Sequence, residues 1–543
     1  MLTGILVLMS QDARREEESN TQRRASVLGL SYIDTSTITD KRLYKEVLAL
    51  EELYSLRIIP ISKDQSNLIF GITNMTSQQT LTSLRQRFAE FRTSFGLISD
   101  TGYAEYMRLY DPPKQVVYQD IQLNTAGTDD LVARVTDMLK EIRPDDVLAY
   151  MVQQAHNLNA SDIHIESQKD NVRIRFRIDG VLHAIATIEK ERYRTFLSVI
   201  ASAANISTSD PDAQQGHISQ QLTMADNSTV DVNVRLETVP TVNGVDVVMR
   251  LFNMEQSNYN LDRLGLSTEE RAIVDDIINK PSGLVLIVGP TGSGKTTTLY
   301  SMLNTLNSDE RKIITVEDPV EYQFAGIVQI PVDTNAMGND GSFAGKLRAI
   351  LRLDPDIVMV GEIRDNDTAK TALQASLTGH LVLSTFHASS AAAALTRMED
   401  VIGQNPLFVS AIRLVMAQRL IRRLDNNLKQ AYQPSEAEKA KIAEVINTLP
   451  ATVQRPDITN LVLYKPGSSP DNPYGFSGQL ALREQFTMNG EIRELLEKHQ
   501  TTLSAQSIET AAIKSGMLTM LQKGILKVIA GETTLDEVYR VVG

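Results

Sequence analysis

The chain has 543 residues, 42% of them hydrophobic, a formal net charge of −13 and no cysteine. That length suits about three domains. The acidic balance argues against a broad nucleic-acid surface, and the lack of cysteine excludes disulfides, thiolate zinc sites and thiol chemistry.

Residues Met1–Ser10 hold a short apolar run without a basic leader or a small-residue cleavage pattern, which reads as a frayed end or docking segment rather than a signal peptide. No apolar run reaches the roughly 18–20 residues needed to span a bilayer. Residues 1–115 mix helical and strand patterns, with a helix expected over Leu43–Leu56 and a strand over Leu68–Ile72. Residues 116–140 read as a linker, polar and turn-rich at Asn124–Asp130. Residues 141–258 open with a helix and pass into strand alternation. Residues 259–543 carry the strongest motifs, and Gln433–Asp471 within them ends in an irregular stretch rich in proline, glycine and serine.

The segment Val172–Gly180 alternates strictly. Val172, Ile174, Phe176 and Ile178 share one side, while Arg173, Arg175 and Arg177 share the other. Three aligned cations with no acid before Asp179 invite a polyanion.

Gly289, Pro290, Thr291, Gly292, Ser293, Gly294, Lys295 and Thr296 spell the phosphate-loop motif. An apolar run suited to a buried parallel strand, Leu284–Val288, precedes it, and a helical pattern over Thr297–Leu306 follows. The glycines let backbone N–H groups turn inward, and a helix N-terminus favours an anion. In that motif Lys295 reaches the β- and γ-phosphates and the Thr296 hydroxyl binds magnesium. Three more apolar runs end at polar groups: Lys312–Val316 at Glu317 and Asp318, Asp356–Val360 at Gly361 and Glu362, and Leu381–Thr385 just before His387. In an open parallel sheet such groups converge on one crevice at the carboxyl ends of the strands.

These boxes together resemble the secretion-type ATPases of type IV pilus assembly and type II secretion. The resemblance rests on the phosphate loop, on the acidic box Val316–Tyr322, on Leu347–Arg352 leading into Asp354–Asp356, on Val358–Asp365, and on the histidine box from Thr378 to His387. Ala160–Glu166 and Thr238–Thr241 extend it upstream. It implies an α/β fold class. The parts are a RecA-like P-loop domain over 259–543 with a helical C-terminal subdomain, a smaller PAS-like α/β domain over 141–258, and an N-terminal α/β docking domain over 1–115.

The resemblance also implies site roles. Glu362 holds magnesium or its water shell. Glu317 is the first choice to orient the attacking water and Glu321 the second. His387 senses the γ-phosphate, Thr297 joins the nucleotide contacts, and His380 either holds the same strand region or is a hydrogen-bonded structural histidine. Arg175 and Arg177 are carried over as arginines presented to ATP, with Arg173 and Arg250 as weaker candidates, so Arg175→Ala is expected to bind ATP but lose turnover. Relatives carry a tetracysteine zinc knob beginning where this chain has Asp425, so no zinc is expected. The doubled helical motif some relatives use for cyclic-di-GMP is not found.

The implied function is that of a cytoplasmic homohexameric motor, peripheral to the inner membrane. It would use ATP and magnesium to power type IV pilus extension through a membrane platform protein and a cytoplasmic docking protein, with no direct nucleic acid. Type II secretion pseudopilus assembly is the alternative. A retraction or DNA-uptake motor, a nucleotide-binding scaffold and a nucleic-acid translocase stand further off.

Overall fold

The computed structural model describes the chain apart from residues 1–10, 39–40, 111–120, 122–127, 144–145, 209, 224–228, 254–258, 333–341, 404–406, 470–471, 473, 489 and 499–503. The apolar start and much of the expected linker turn therefore lie outside the described residues. The chain forms two compact units: residues 1–118 with 222–230, and residues 119–221 with 231–543.

In the first unit, β1 (Ser31–Tyr32), β2 (Ile58–Lys63), β3 (Asn67–Ile72) and β4 (Arg92–Leu97) form one sheet in the order β1-β4-β3-β2. Leu53, Ile58, Leu68 and Phe70 are fully buried in its core, and Phe70 stacks on Phe95 with ring centroids 5.7 Å apart. The helix expected over Leu43–Leu56 is confined to Leu50–Leu56. Glu52 Oε2 accepts the Ala49 N–H at 3.0 Å, which fixes the helix start. The Tyr44 N–H is drawn instead to the Tyr110 hydroxyl at 2.9 Å.

The second unit opens with the helix Thr128–Glu141, inside the stretch expected to be a linker. Leu131, Val135 and Leu139 are four residues apart and all buried, so a single apolar stripe docks this helix. The Thr187 N–H donates to Thr136 Oγ1 at 2.9 Å and joins it to the sheet that follows. That sheet contains β5 (Ala160–Ser167), β6 (Val172–Ile178), β7 (Val181–Ile188), β8 (Gln214–Thr223), β9 (Thr229–Thr241) and β10 (Gly244–Asn253), in the order β7-β6-β5-β10-β9-β8. Ile163, Ile165, Ile174, Phe176, Val247 and Met249 are fully buried on one face, which leaves the other face polar.

A seven-stranded sheet is the centre of the remainder. Its strands are β11 (Gly283–Val288), β12 (Ile313–Glu317), β13 (Val328–Pro331), β14 (Ile357–Val360), β15 (Leu381–Phe386) and β16 (Ile412–Leu424), parallel to one another. A small ladder of β17 (Gln430–Tyr432) and β18 (Leu463–Lys465) precedes β19 (Phe476–Thr487), which pairs antiparallel with β16. The order is β13-β12-β14-β15-β11-β16-β19. Every residue of β11 is buried because both faces are covered: Leu284, Leu286 and Val288 pack in one core cluster, Val285 and Ile287 in another.

Within Gln433–Asp471 the structure forms the helix Glu436–Asn447, capped by Ser435 and Glu438, before the chain turns irregular. Among the described residues, no helix is long and apolar enough to cross a membrane.

Candidate nucleotide site

The strand β11 delivers the phosphate loop at its carboxyl end, and helix Lys295–Leu306 leaves from it. Gly292 and Gly294 take φ of 77° and 81°, a conformation that side chains disfavour. The Lys295 ammonium donates to the carbonyls of Gly289 at 3.0 Å and Pro290 at 2.9 Å. Burial lowers its pKa, against the pull of Glu362.

The loop opens on a cleft of about 880 Å³. Thr291, Gly292, Ser293, Gly294, Lys295, Thr296 and Thr297 line it on one side, while Gly289 and Pro290 do not. Glu317 at the end of β12, and Glu321, Glu362 and His387 in the segments that follow β12, β14 and β15, line the cleft as well. His387 Nε2 and Glu362 Oε1 are 2.8 Å apart, and Arg364 Nε donates to Glu362 Oε2 at 2.7 Å. His380 lies elsewhere, its Nδ1 3.0 Å from the Ala375 carbonyl at a helix end.

The two acids of the acidic box differ. Glu317 is buried at 3% exposure, and its carboxylate accepts from the hydroxyls of Tyr300 and Thr315 and from Gln329 Nε2 at 3.0 Å. Glu321 faces the cleft, and among the described residues its carboxylate accepts no hydrogen bond. Burial and then the Glu317 charge push its pKa up, while Arg250, Arg235 and Lys295 pull it down. A half-buried carboxyl opposed by cations and free to accept suits a group that handles a water proton.

The polar face of the smaller sheet closes the cleft. Register places Arg177 on β6 opposite Asp162 on β5, Asp162 opposite Arg250 on β10, and Arg250 opposite Arg235 on β9. All four line the cleft. Arg250 Nε donates to Asp162 at 2.8 Å, and Arg177 Nε lies 3.4 Å from the same carboxylate. Arg173 and Arg175 share that face but not the cleft: both guanidiniums turn to Glu166, Arg173 at 2.8 Å. Arg175, expected to face the nucleotide, is thus not brought to the cleft in this structure. A carboxylate on the neighbouring strand takes it up, and the row reaching the phosphate loop lies one step along the sheet. Arg235 was missed. Val232, Val234 and Leu236 are buried, so alternation puts Arg235 outward, but only the pairing of four strands brings it to the loop.

The donor set fits magnesium. Thr296 offers a hydroxyl and Glu362 a carboxylate to one cleft, and among the described residues no group of three or more His, Cys, Asp or Glu gathers for a metal. Magnesium beside phosphates is commonly held by one or two protein oxygens, with phosphate and water completing the shell.

Residues 142–540 match the family model described as type II/IV secretion system protein. The chain belongs to the type II/IV secretion ATPase family. It is 33% identical to a type II secretion system protein E from Xanthomonas campestris, covering 99% of this chain and 93% of that one. It is 38% identical to a protein of the same name from Pseudomonas aeruginosa, covering 77% and 80%. It is also 38% identical to the type II secretion system ATPase E of Vibrio cholerae, covering 72% and 74%. Among solved structures, the ATPase DotB of Yersinia pseudotuberculosis matches with a TM-score of 0.54 at 18% identity, over 79% of this chain and 98% of that one, and shows the same fold. As a member of the type II/IV secretion ATPases, the chain is a P-loop enzyme that hydrolyses ATP.

Proposed function

We propose that this chain is the cytoplasmic motor ATPase of a type II secretion apparatus, working as a homohexamer against a membrane platform protein through a cytoplasmic docking protein. The relatives named above, one of them matched across almost the whole chain, carry the type II secretion name and favour this reading over type IV pilus extension. The N-terminal unit is the candidate docking part. The observation that carries the motor reading is the Arg177–Asp162–Arg250–Arg235 row facing the phosphate loop across one cleft.

In this reading the loop N–H groups and Lys295 grip the phosphates. Thr296 and Glu362 hold magnesium, which supplies charge neutralisation at the β- and γ-phosphates. Glu321 orients the attacking water and takes its proton, in preference to Glu317, whose carboxylate is occupied by three donors. Arg177, Arg250 and Arg235 meet the γ-phosphate from the smaller domain. They favour the closed arrangement while ATP is present and release it when phosphate leaves, a shift driven by differential affinity. His387 reports on the same phosphate through its contact with Glu362.

The test combines size analysis with and without a nonhydrolysable ATP analogue and phosphate release by wild type and Glu362→Gln. A ring that forms or tightens with the analogue, and turnover lost in the variant, support the motor. A monomer whose activity is independent of concentration overturns it. Restored secretion, rather than piliation, in a cell lacking its own type II ATPase separates the two machines.

A further inference from the structure

A buried polar cluster packs against the phosphate loop without lining the cleft. Gln418, on β16, is 2% exposed, as is Arg483 on β19, and Thr298 is fully buried. Register sets Gln418 opposite Arg483, and sets the preceding Ala417 opposite Val288, the last residue before the loop. Gln418 thus lies where β11 ends and the loop begins.

Both polar atoms of its amide are engaged. Nε2 donates to the Ser293 carbonyl at 2.6 Å. Oε1 accepts from Thr298 Oγ1 at 2.9 Å and from Arg483 Nε at 3.0 Å. Arg483 is anchored in turn, donating to the Leu264 carbonyl at 2.7 Å. The orientation of the amide follows from its partners. A guanidinium can only donate, so the atom facing Arg483 must be oxygen, and the amide nitrogen must face the loop. The fit leaves no slack: a Cβ on Gly294 would stand 2.7 Å from Gln418 Nε2, and one on Gly289 would stand 2.6 Å from the Gln418 carbonyl oxygen.

The consequence lies in the peptide between Ser293 and Gly294. In a trans peptide the C=O and the next N–H point in opposite directions. A Ser293 carbonyl held toward Gln418 therefore turns the Gly294 N–H the other way, into the cradle where an anion is received.

We propose that Gln418, its amide oriented by Arg483 and Thr298, is a positioning residue that sets the Ser293–Gly294 peptide plane and so presents the Gly294 N–H to the nucleotide phosphates. The proposal rests on ATP occupying this loop.

The discriminating variant is Gln418→Glu. It keeps an oxygen toward Thr298 and Arg483 and gives the buried guanidinium a charged partner, while replacing the donor that holds the loop carbonyl. Loss of that hydrogen bond predicts an increase in KM for ATP of about tenfold, with kcat changed much less and thermal stability close to wild type. A second variant, Thr298→Val, keeps the side-chain shape and removes one of the two donors that orient the amide, and should raise KM by a smaller factor. A folded Gln418→Glu enzyme with wild-type KM overturns the proposal. If Gln418→Glu does not fold, an unchanged KM in Thr298→Val does so. Lys295→Ala is the control: if it still binds a fluorescent ATP analogue normally, the assignment of the loop to ATP has failed rather than the role of Gln418.

Discussion

Arg250 lies directly opposite Asp162 in the antiparallel pairing of β10 with β5, and its Nε donates to that carboxylate at 2.8 Å. Asp162 is only 4% exposed and also faces Arg177, so one buried acid holds two guanidiniums at the mouth of the phosphate loop. A pre-aimed arginine costs little to organise when charge develops on the γ-phosphate. Arg250→Ala should therefore retain ATP binding while losing turnover by about 10³-fold, the scale of an arginine finger. Arg175→Ala, whose guanidinium turns to Glu166, should stay near wild type. Steady-state phosphate release from the two purified variants decides between them.

The two acids of the acidic box should respond differently to amide substitution. Glu321→Gln should fold normally and lose turnover by about 10²-fold or more, as expected for a general base. Glu317→Gln removes a charged acceptor from three donors, two of them buried, and should cost about 1.5–3 kcal/mol of stability. The raised Glu321 pKa also sets a pH signature. Glu321 must be ionised to accept a proton, so kcat/KM should fall on the acid side through a pKa above the ordinary 4.5 of a glutamate. That limb should disappear in the residual activity of Glu321→Gln.

Sequence alone located the phosphate loop because its chemistry is local: glycines, Lys295 and Thr296 follow one strand within eight residues. The parallel strands were equally legible, since burial on both faces demands the continuous apolar runs of β11, β12, β14 and β15. The arginine row was not. It depends on the registers of β6, β5, β10 and β9, and a register is a property of pairing rather than of any one strand. Arg175 alternates with the apolar residues just as Arg177 does, and only Glu166 across the ladder separates their fates. Gln418 stands in a box, Ala417–Leu424, that matches the family, but its contact with the phosphate loop was not legible, because it depends on the loop carbonyl that the fold brings beside it.

Asp425, where the resemblance placed the start of a metal knob in other family members, is part of a hydrogen-bonded staple. Asn472 Nδ2 donates to Asp425 Oδ2 and to the Phe476 carbonyl, both at 2.9 Å, and its Oδ1 accepts the Gly475 N–H at 3.0 Å. The Asp425 N–H donates to the Gly475 carbonyl at 3.0 Å and closes the same loop. Treatment with a zinc chelator should leave the melting temperature and the ATPase rate unchanged. Asn472→Ala should lower stability by about 1–2 kcal/mol, since several hydrogen bonds are lost at a partly exposed site. A chelator-induced drop in melting temperature would show that metal takes part.

The turn joining β6 to β7 meets this same region. His183 lies against Tyr474 with ring centroids 4.1 Å apart, and burial, then the nearby Arg422 guanidinium, holds its pKa down to about 4 from 6.5. Arg422 is itself committed, paired with Glu537 at 2.5 Å and placed 4.0 Å from the centroid of the Phe476 ring. The folded pKa lies below the unfolded one, so between these values the unfolded chain binds the proton more readily. The contribution of His183 is then fully present above about pH 6.5 and is lost as the pH falls toward 4. His183→Phe keeps a ring against Tyr474 and removes the titration. Thermal unfolding at pH 7.5 and pH 5 should therefore show a smaller acid-induced loss for the variant than for wild type. Equal losses would place the proton uptake on other groups and leave this contact independent of pH.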